Sequence, residues 1–198
     1  MLKLKLSAVA LLAALGSSVF AAPAVAGAQS DDWWQRLEVR GLDQRPLLGN
    51  GRWIVLVFIS PECPVANASV PVLNALAKEF APRGFFFVGA YADPNIPLTA
   101  LQQHEREYSL AFSTADDRRQ LLVSTTGATY TPEAFVFARD GALLYRGRID
   151  DRVGDFGAAR PAAVRQDLRE VLAALATEKS GPFKSQPGFG CSIPEPVK

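Results

Sequence analysis

Residues 52–73 read RWIVLVFISPECPVANASVPVL, and the fold turns on them. The run from Trp53 to Ile59 is unbroken, β-branched and aromatic, which predicts a short strand buried on both faces. Ser60-Pro61 ends it as a turn signal. Cys63 follows, then Pro64, a residue favoured in the first turn of a helix, and apolar side chains recur at Ala66, Val70, Leu73, Ala77 and Phe80. The order strand, tight turn, helix sets Cys63 at a helix N-terminus, where free N–H groups and the positive end of the dipole favour a thiolate over a thiol. A thiolate is the nucleophile of disulfide exchange and of peroxide reduction. The competing reading is a buried cysteine serving as a small apolar filler. Glu62 beside it opposes a second negative charge.

The chain has 198 residues, enough for one domain with a sizeable core, and its 48% of hydrophobic residues excludes a disordered protein. Residues 1–26 read as a secretory signal peptide. Lys3 and Lys5 form a basic start, residues 6–15 an apolar core, and Ala24-Val25-Ala26 a cleavage site. A retained membrane anchor is the alternative, but the apolar core is short for a span. Export predicts a periplasmic or extracellular protein after cleavage near Ala26, with no membrane contact thereafter. Cleavage leaves 19 basic against 20 acidic residues, so nothing in the charge points to nucleic acid or anionic membrane. Both cysteines, Cys63 and Cys191, survive cleavage, and an oxidising compartment lets two cysteines pair. A structural staple and a redox pair both predict that bond and differ in how readily it is reduced. One histidine and no cysteine cluster give no support for a metal site.

The domain is expected over residues 27–180, with an irregular tail over 181–198 that carries Cys191. Asp31-Asp32-Trp33-Trp34 is expected to dock its aromatic pair on the body, and the flanks of Gly41-Leu42-Asp43 read as a small hairpin. Pro71 falls inside the first helical pattern and should bend it. Arg83-Gly84 ends that helix, and a second buried strand follows over Phe85–Tyr91, implying a right-handed parallel crossover with Cys63 at its mouth. Leu98, Leu101, Glu105 and Tyr108 mark a helix on which His104 reads as a solvated surface residue. Asp116 is placed to cap a short helix ending near Gly127. Thr131-Pro132 precedes a strand over 134–138, Arg139-Asp140-Gly141 turns it, and 143–146 returns. Pro161 opens the last helix, with Val164, Leu168, Val171, Leu172 and Leu175 on one face. The class is α/β. A mixed central sheet with helices on both faces, a short N-terminal hairpin and an irregular C-terminal tail form a thioredoxin-like layout.

The stretches FISPECPVANASVPVLNALAKEFAPRGFFFVGAYADPN, TPEAFVFARDGALLYRGRIDDR and GFGCSIP together resemble the peroxiredoxin-like branch of the thioredoxin superfamily. These are the redoxin, or alkyl hydroperoxide reductase/thiol-specific antioxidant, proteins, and the likeness runs over about residues 35–194. The resemblance implies that Cys63 is the attacking cysteine and that Pro132 is a cis-proline facing it, exposing the Thr131 backbone to an extended substrate. It implies that Cys191 is a resolving cysteine, and that Ser60 stands where such proteins carry a peroxide-orienting threonine. It implies no cofactor. Two departures matter. The second cysteine of a Cys-x-x-Cys pair is replaced by Ala66, and Thr131-Pro132 occupies the usual position of a thiolate-stabilising arginine. Arg148, the nearest later candidate for that arginine, reads with Asp150 and Asp151 as a surface ion-pair cluster.

Two function classes follow. One is an exported thiol oxidoreductase acting on a hydroperoxide or a protein disulfide, with an external thiol reductant. The other is a redox-silent thioredoxin-fold module that binds extended peptides by strand addition.

Overall fold

The computed structural model describes residues 33–153 and 160–195. The leader read at residues 1–26 lies outside them. The central strand β1 (Trp53–Ile59) is buried at all seven positions. On one side it pairs in parallel with β2 (Phe85–Tyr91), which pairs in parallel with β3 (Ser113–Asp116). On the other it pairs antiparallel with β5 (Glu133–Ala138), which pairs antiparallel with β6 (Leu143–Gly147). The sheet order is thus β3-β2-β1-β5-β6. Alternation along β1 divides the core. Val55, Val57 and Ile59 face α2 (Pro64–Phe80), Leu101 of α3 (Leu98–Glu107) and α5 (Asp167–Ala176). Ile54, Leu56 and Phe58 face α1 (Trp33–Arg36) and Leu122 of α4 (Leu121–Thr126). Both tryptophans of α1 are buried, as expected, and Trp34 Nε1 donates to the Leu47 carbonyl at 2.8 Å.

Four local expectations change. Polar residues 113–116 form β3, a strand the sequence conceals, because its pairing comes from β2 on one side and a Gly41–Ala115 bridge on the other. The N-cap position of α4 is Gln120, and its first-turn N–H groups at Leu122 and Val123 donate to the Asp117 carboxylate at 2.9 and 3.1 Å, while Asp116 pairs with Arg118. The last helix starts at Asp167, not near Pro161. The N–H groups of Val164 and Arg165 are drawn to the Asp151 carboxylate, which holds that stretch out of helix, and Val164 is exposed. Finally, α2 runs as one element across Pro71, which lies on its exposed side.

The N-terminal hairpin is reduced to an Arg40–Pro46 bridge. The tail is irregular through residue 190 but anchored. Phe183 N–H donates to the Leu144 carbonyl, Gln186 bridges Gly147 at the edge of β6, and Cys191–Ser192 forms β7, antiparallel to β4 (Tyr130–Thr131). No helix among the described residues is long and apolar enough to cross a membrane. Leu56 is fully buried between sheet and helix. Leu56→Ala should destabilise the reduced protein by about 2–5 kcal/mol in urea denaturation, the cost of an aliphatic core truncation.

Candidate active site

Cys63 lies just past the C-terminal end of β1, fully buried, and is the N-cap of α2. Pro64 presets the first helical turn, and the Cys63 sulfur accepts from the Ala66 N–H at 3.4 Å. The turn before it closes through Cys63 N–H to the Ser60 carbonyl at 3.2 Å. Ser60 Oγ accepts from the Glu62 N–H at 3.3 Å, so this hydroxyl helps build the turn. Across from Cys63 stands the Thr131-Pro132 peptide, which is cis, and Cys63 Sγ donates to the Thr131 carbonyl at 3.1 Å when it carries its proton.

The tail supplies the remaining partner. β7 pairs Cys191 with Thr131 and Ser192 with Tyr130, and Ile193 N–H donates to the Thr129 carbonyl at 3.0 Å. This brings Cys191 against the core cluster that contains Cys63, both cysteines being free. The approach requires Gly190. A Cβ there would collide with the Thr131 carbonyl oxygen. Gln120 fixes the far side by donating to the carbonyls of Ala92 and Pro194. The strand edge beside the cis-proline, expected to be open, is therefore covered by the chain's own tail. Beside it lies a small cleft of about 170 Å³ lined by Ser60, Glu62, Asp93 and Cys191 among others.

The electrostatics separate the two thiols. Burial alone would push the Cys63 thiol up, but hydrogen bonds from the Cys191 thiol, the Thr131 hydroxyl and the N–H groups of Ala66 and Cys191 outweigh it. They hold it below its ordinary value. Burial, and then the adjacent Cys63, push Cys191 up to about 11. Cys63 is thus the more readily ionised of the two thiols, and Cys191 the one that holds its proton more tightly. The departures read from sequence keep their meaning. Arg148 is not at the sulfur; its Nε donates to Asp167 at 2.6 Å. Asp150 and Asp151 pair instead with Arg152 and Arg160, so the ion pairs expected of Arg148 with these two acids are replaced by others. His104 corrects the sequence reading. It is buried, not solvated, because Tyr91 and Asn67 close on its two ring nitrogens. Among the described residues no cluster of His, Cys, Asp and Glu could hold a metal ion.

Two outcomes follow. In the reduced protein, iodoacetamide should label Cys63 below the pH at which an ordinary thiol of pKa about 8.5 ionises. Cys191 should follow only as the pH approaches 11, with site-resolved mass spectrometry reading both. Gly190→Val should expel β7, so that Cys191 labels near the ordinary thiol pH. Unchanged Cys191 labelling would show that the tail is not held by this close approach.

Known proteins share this fold. The thiol-disulfide oxidoreductase ResA of Bacillus thuringiensis is 25% identical over 108 residues, 54% of this chain and 60% of that protein. The chain thus spans about 60% of the length of the curated relatives it matches. An uncharacterised conserved protein of Geobacillus kaustophilus shares the fold with a TM-score of 0.70 and 24% identity, over 81% of this chain and 89% of that one. A secreted Mycobacterium tuberculosis disulfide oxidoreductase does so with a TM-score of 0.53 and 24% identity, over 70% and 97%. The AhpC/TSA family pattern matches residues 39–146, more than half of the sequence, and with its thioredoxin-like sheet the chain belongs to the AhpC/TSA family.

Proposed function

We propose that this protein is a two-cysteine thiol oxidoreductase that cycles between a Cys63/Cys191 dithiol and a Cys63–Cys191 disulfide. The observation that carries the reading is the pairing of β7 with β4, which sets Cys191 beside a more readily ionised Cys63 without a Cys-x-x-Cys motif. Membership of the AhpC/TSA family and relatives named as thiol-disulfide oxidoreductases support redox chemistry in general.

The hydroperoxide route fits the enclosed sulfur best. The Cys63 thiolate attacks the distal peroxide oxygen, the O–O bond breaks, and an alcohol or water leaves with a proton as Cys63 becomes a sulfenic acid. That oxidation removes the negative charge that helped hold the Cys191 proton. The Cys191 thiolate then attacks the sulfenic sulfur, hydroxide leaves and takes up a proton as water, and the disulfide forms. An external dithiol reduces it. The Thr131 carbonyl faces the sulfur.

Disulfide exchange is the second reading, favoured by the names of the relatives. It requires the tail to leave the Thr131 edge before a polypeptide can reach Cys63. The same coverage weighs against a peptide-binding module at that edge. The leader reading of residues 1–26 supports export to a periplasmic or extracellular setting.

The test is a thiol count and disulfide map before and after one equivalent of hydrogen peroxide. Wild type should lose both thiols to one Cys63–Cys191 bond that mild dithiol reverses. Cys63→Ser should leave the peroxide untouched, and Cys191→Ser should stop at a sulfenic acid trapped by dimedone. Equal peroxide traces for wild type and Cys63→Ser would remove the peroxidase route, and rapid reduction of a peptide disulfide in the same samples would select exchange.

A further inference from the structure

A partly buried polar chain runs from the end of β2 to the turn that carries Cys63, and the two-cysteine cycle does not use it. Asn67 lies one helical turn after Cys63, and its main-chain N–H donates to the Cys63 carbonyl at 2.9 Å. Asn67 Nδ2 donates to the Pro61 carbonyl at 2.8 Å, tying the helix to the turn. Asn67 Oδ1 lies 2.9 Å from His104 Nε2, and His104 Nδ1 lies 2.7 Å from the Tyr91 hydroxyl.

With His104 neutral, the donors and acceptors have one consistent arrangement. The Pro61 carbonyl only accepts, so the Asn67 amino group faces it. Asn67 Oδ1 then needs a donor, which puts the imidazole proton on Nε2. Nδ1 is left as an acceptor, and the Tyr91 hydroxyl donates to it. Of the two neutral tautomers only Nε2–H satisfies every bond; an imidazolium would satisfy them too, with Tyr91 accepting. Burial favours the neutral state, lowering the His104 pKa and raising that of Tyr91. The Tyr108 ring lies 4.4 Å away, and Glu107 on the same helix is a smaller, opposing influence.

The helix has a reason to need this tie. Pro71 stands four residues after Asn67 and has no N–H, so the helical bond it would give to the Asn67 carbonyl is missing. The main-chain ladder is interrupted one turn below Cys63, and the Asn67 side chain replaces a local tie with one anchored in β2 and α3.

Resting on the reading of Cys63 as the nucleophile, we propose that Asn67, oriented by His104 and Tyr91, is a positioning residue that holds the 60–63 turn so that the Cys63 sulfur stays on the Ala66 N–H. Neither Asn67 nor His104 touches the reacting atoms. They act through the Pro61 carbonyl.

His104 is the only histidine in the chain, so its ring nitrogens give one unambiguous set of ¹⁵N resonances. They should show the neutral Nε2–H tautomer at pH 7. The second readout is the pH profile of Cys63 alkylation in the reduced full chain, followed separately from Cys191 by mass spectrometry. Asn67→Ala and His104→Leu should slow alkylation at neutral pH by about tenfold and move the profile up by about one pH unit, the scale of one lost hydrogen bond. His104→Gln, whose amide nitrogen can take the place of Nε2 and donate to Asn67, should stay within about twofold of wild type on the same scale. An Nδ1–H tautomer would overturn the proposal. So would Asn67→Ala and His104→Leu proteins that melt earlier yet alkylate along the wild-type profile. A wild-type Cys63 that ionises as an ordinary thiol would instead remove the nucleophile reading beneath it, an outcome seen without touching the network.

Discussion

A sulfur buried at the end of the central strand is the constraint around which the rest of this structure is arranged. A sulfur out of water ionises readily only where other hydrogen bonds replace those of water. Here the replacements come from three places in the chain: the first turn of α2, the strand before the cis-proline, and the distant tail. Each requires particular backbone. Pro64 starts the helix where the sulfur can cap it, β1 and β5 bring the Thr131 peptide opposite, and Gly190 lets a further strand lie against that peptide. The sheet serves to hold these segments at fixed separations.

The layout was legible because its central elements carry strong local signals. β1 and β2 are runs of apolar residues bounded by turn residues, and they occur where read, as does the β5–β6 hairpin. Where the sequence reading failed, tertiary contacts decide the local structure. Ser113 to Asp116 has no apolar run to mark it and becomes a strand because partners flank it on both sides. Residues 160–166 carry a helical start signal in Pro161, but Asp151, distant in sequence, takes their N–H groups. One-residue errors such as Asp116 for Asp117 arise because both acids precede the helix and only the path of the chain determines which one turns inward.

The site divides in the same way. Cys63 at its helix start was legible from residue order alone, and the family likeness drew in Pro132, Thr131, Cys191 and Ser60. What sequence could not give was the meeting of Cys191 with Cys63, since 128 positions and an irregular tail separate them. Nor could it reveal Asn67 and His104. Asn67 looks like an ordinary polar helix residue, and His104 falls between polar neighbours on a sparsely apolar helix. Their roles arise from Tyr91, on a different element. A lone buried histidine flanked by a tyrosine at the end of a strand and an asparagine beside a helix-start cysteine is a pattern visible only after folding.

The two small bridges at the margins of the sheet bear on how the protein behaves in a crowd. A five-stranded sheet leaves two edges that can template pairing with other chains. Gly41 stoppers the β3 edge and Gln186 the β6 edge, each by a single bridge. The second stopper belongs to the same tail that carries Cys191. A Cys63–Cys191 bond would pin that tail in place covalently, while the dithiol form retains it by hydrogen bonds and packing alone. Aggregation resistance would then follow oxidation state, with the reduced form the more exposed to self-association.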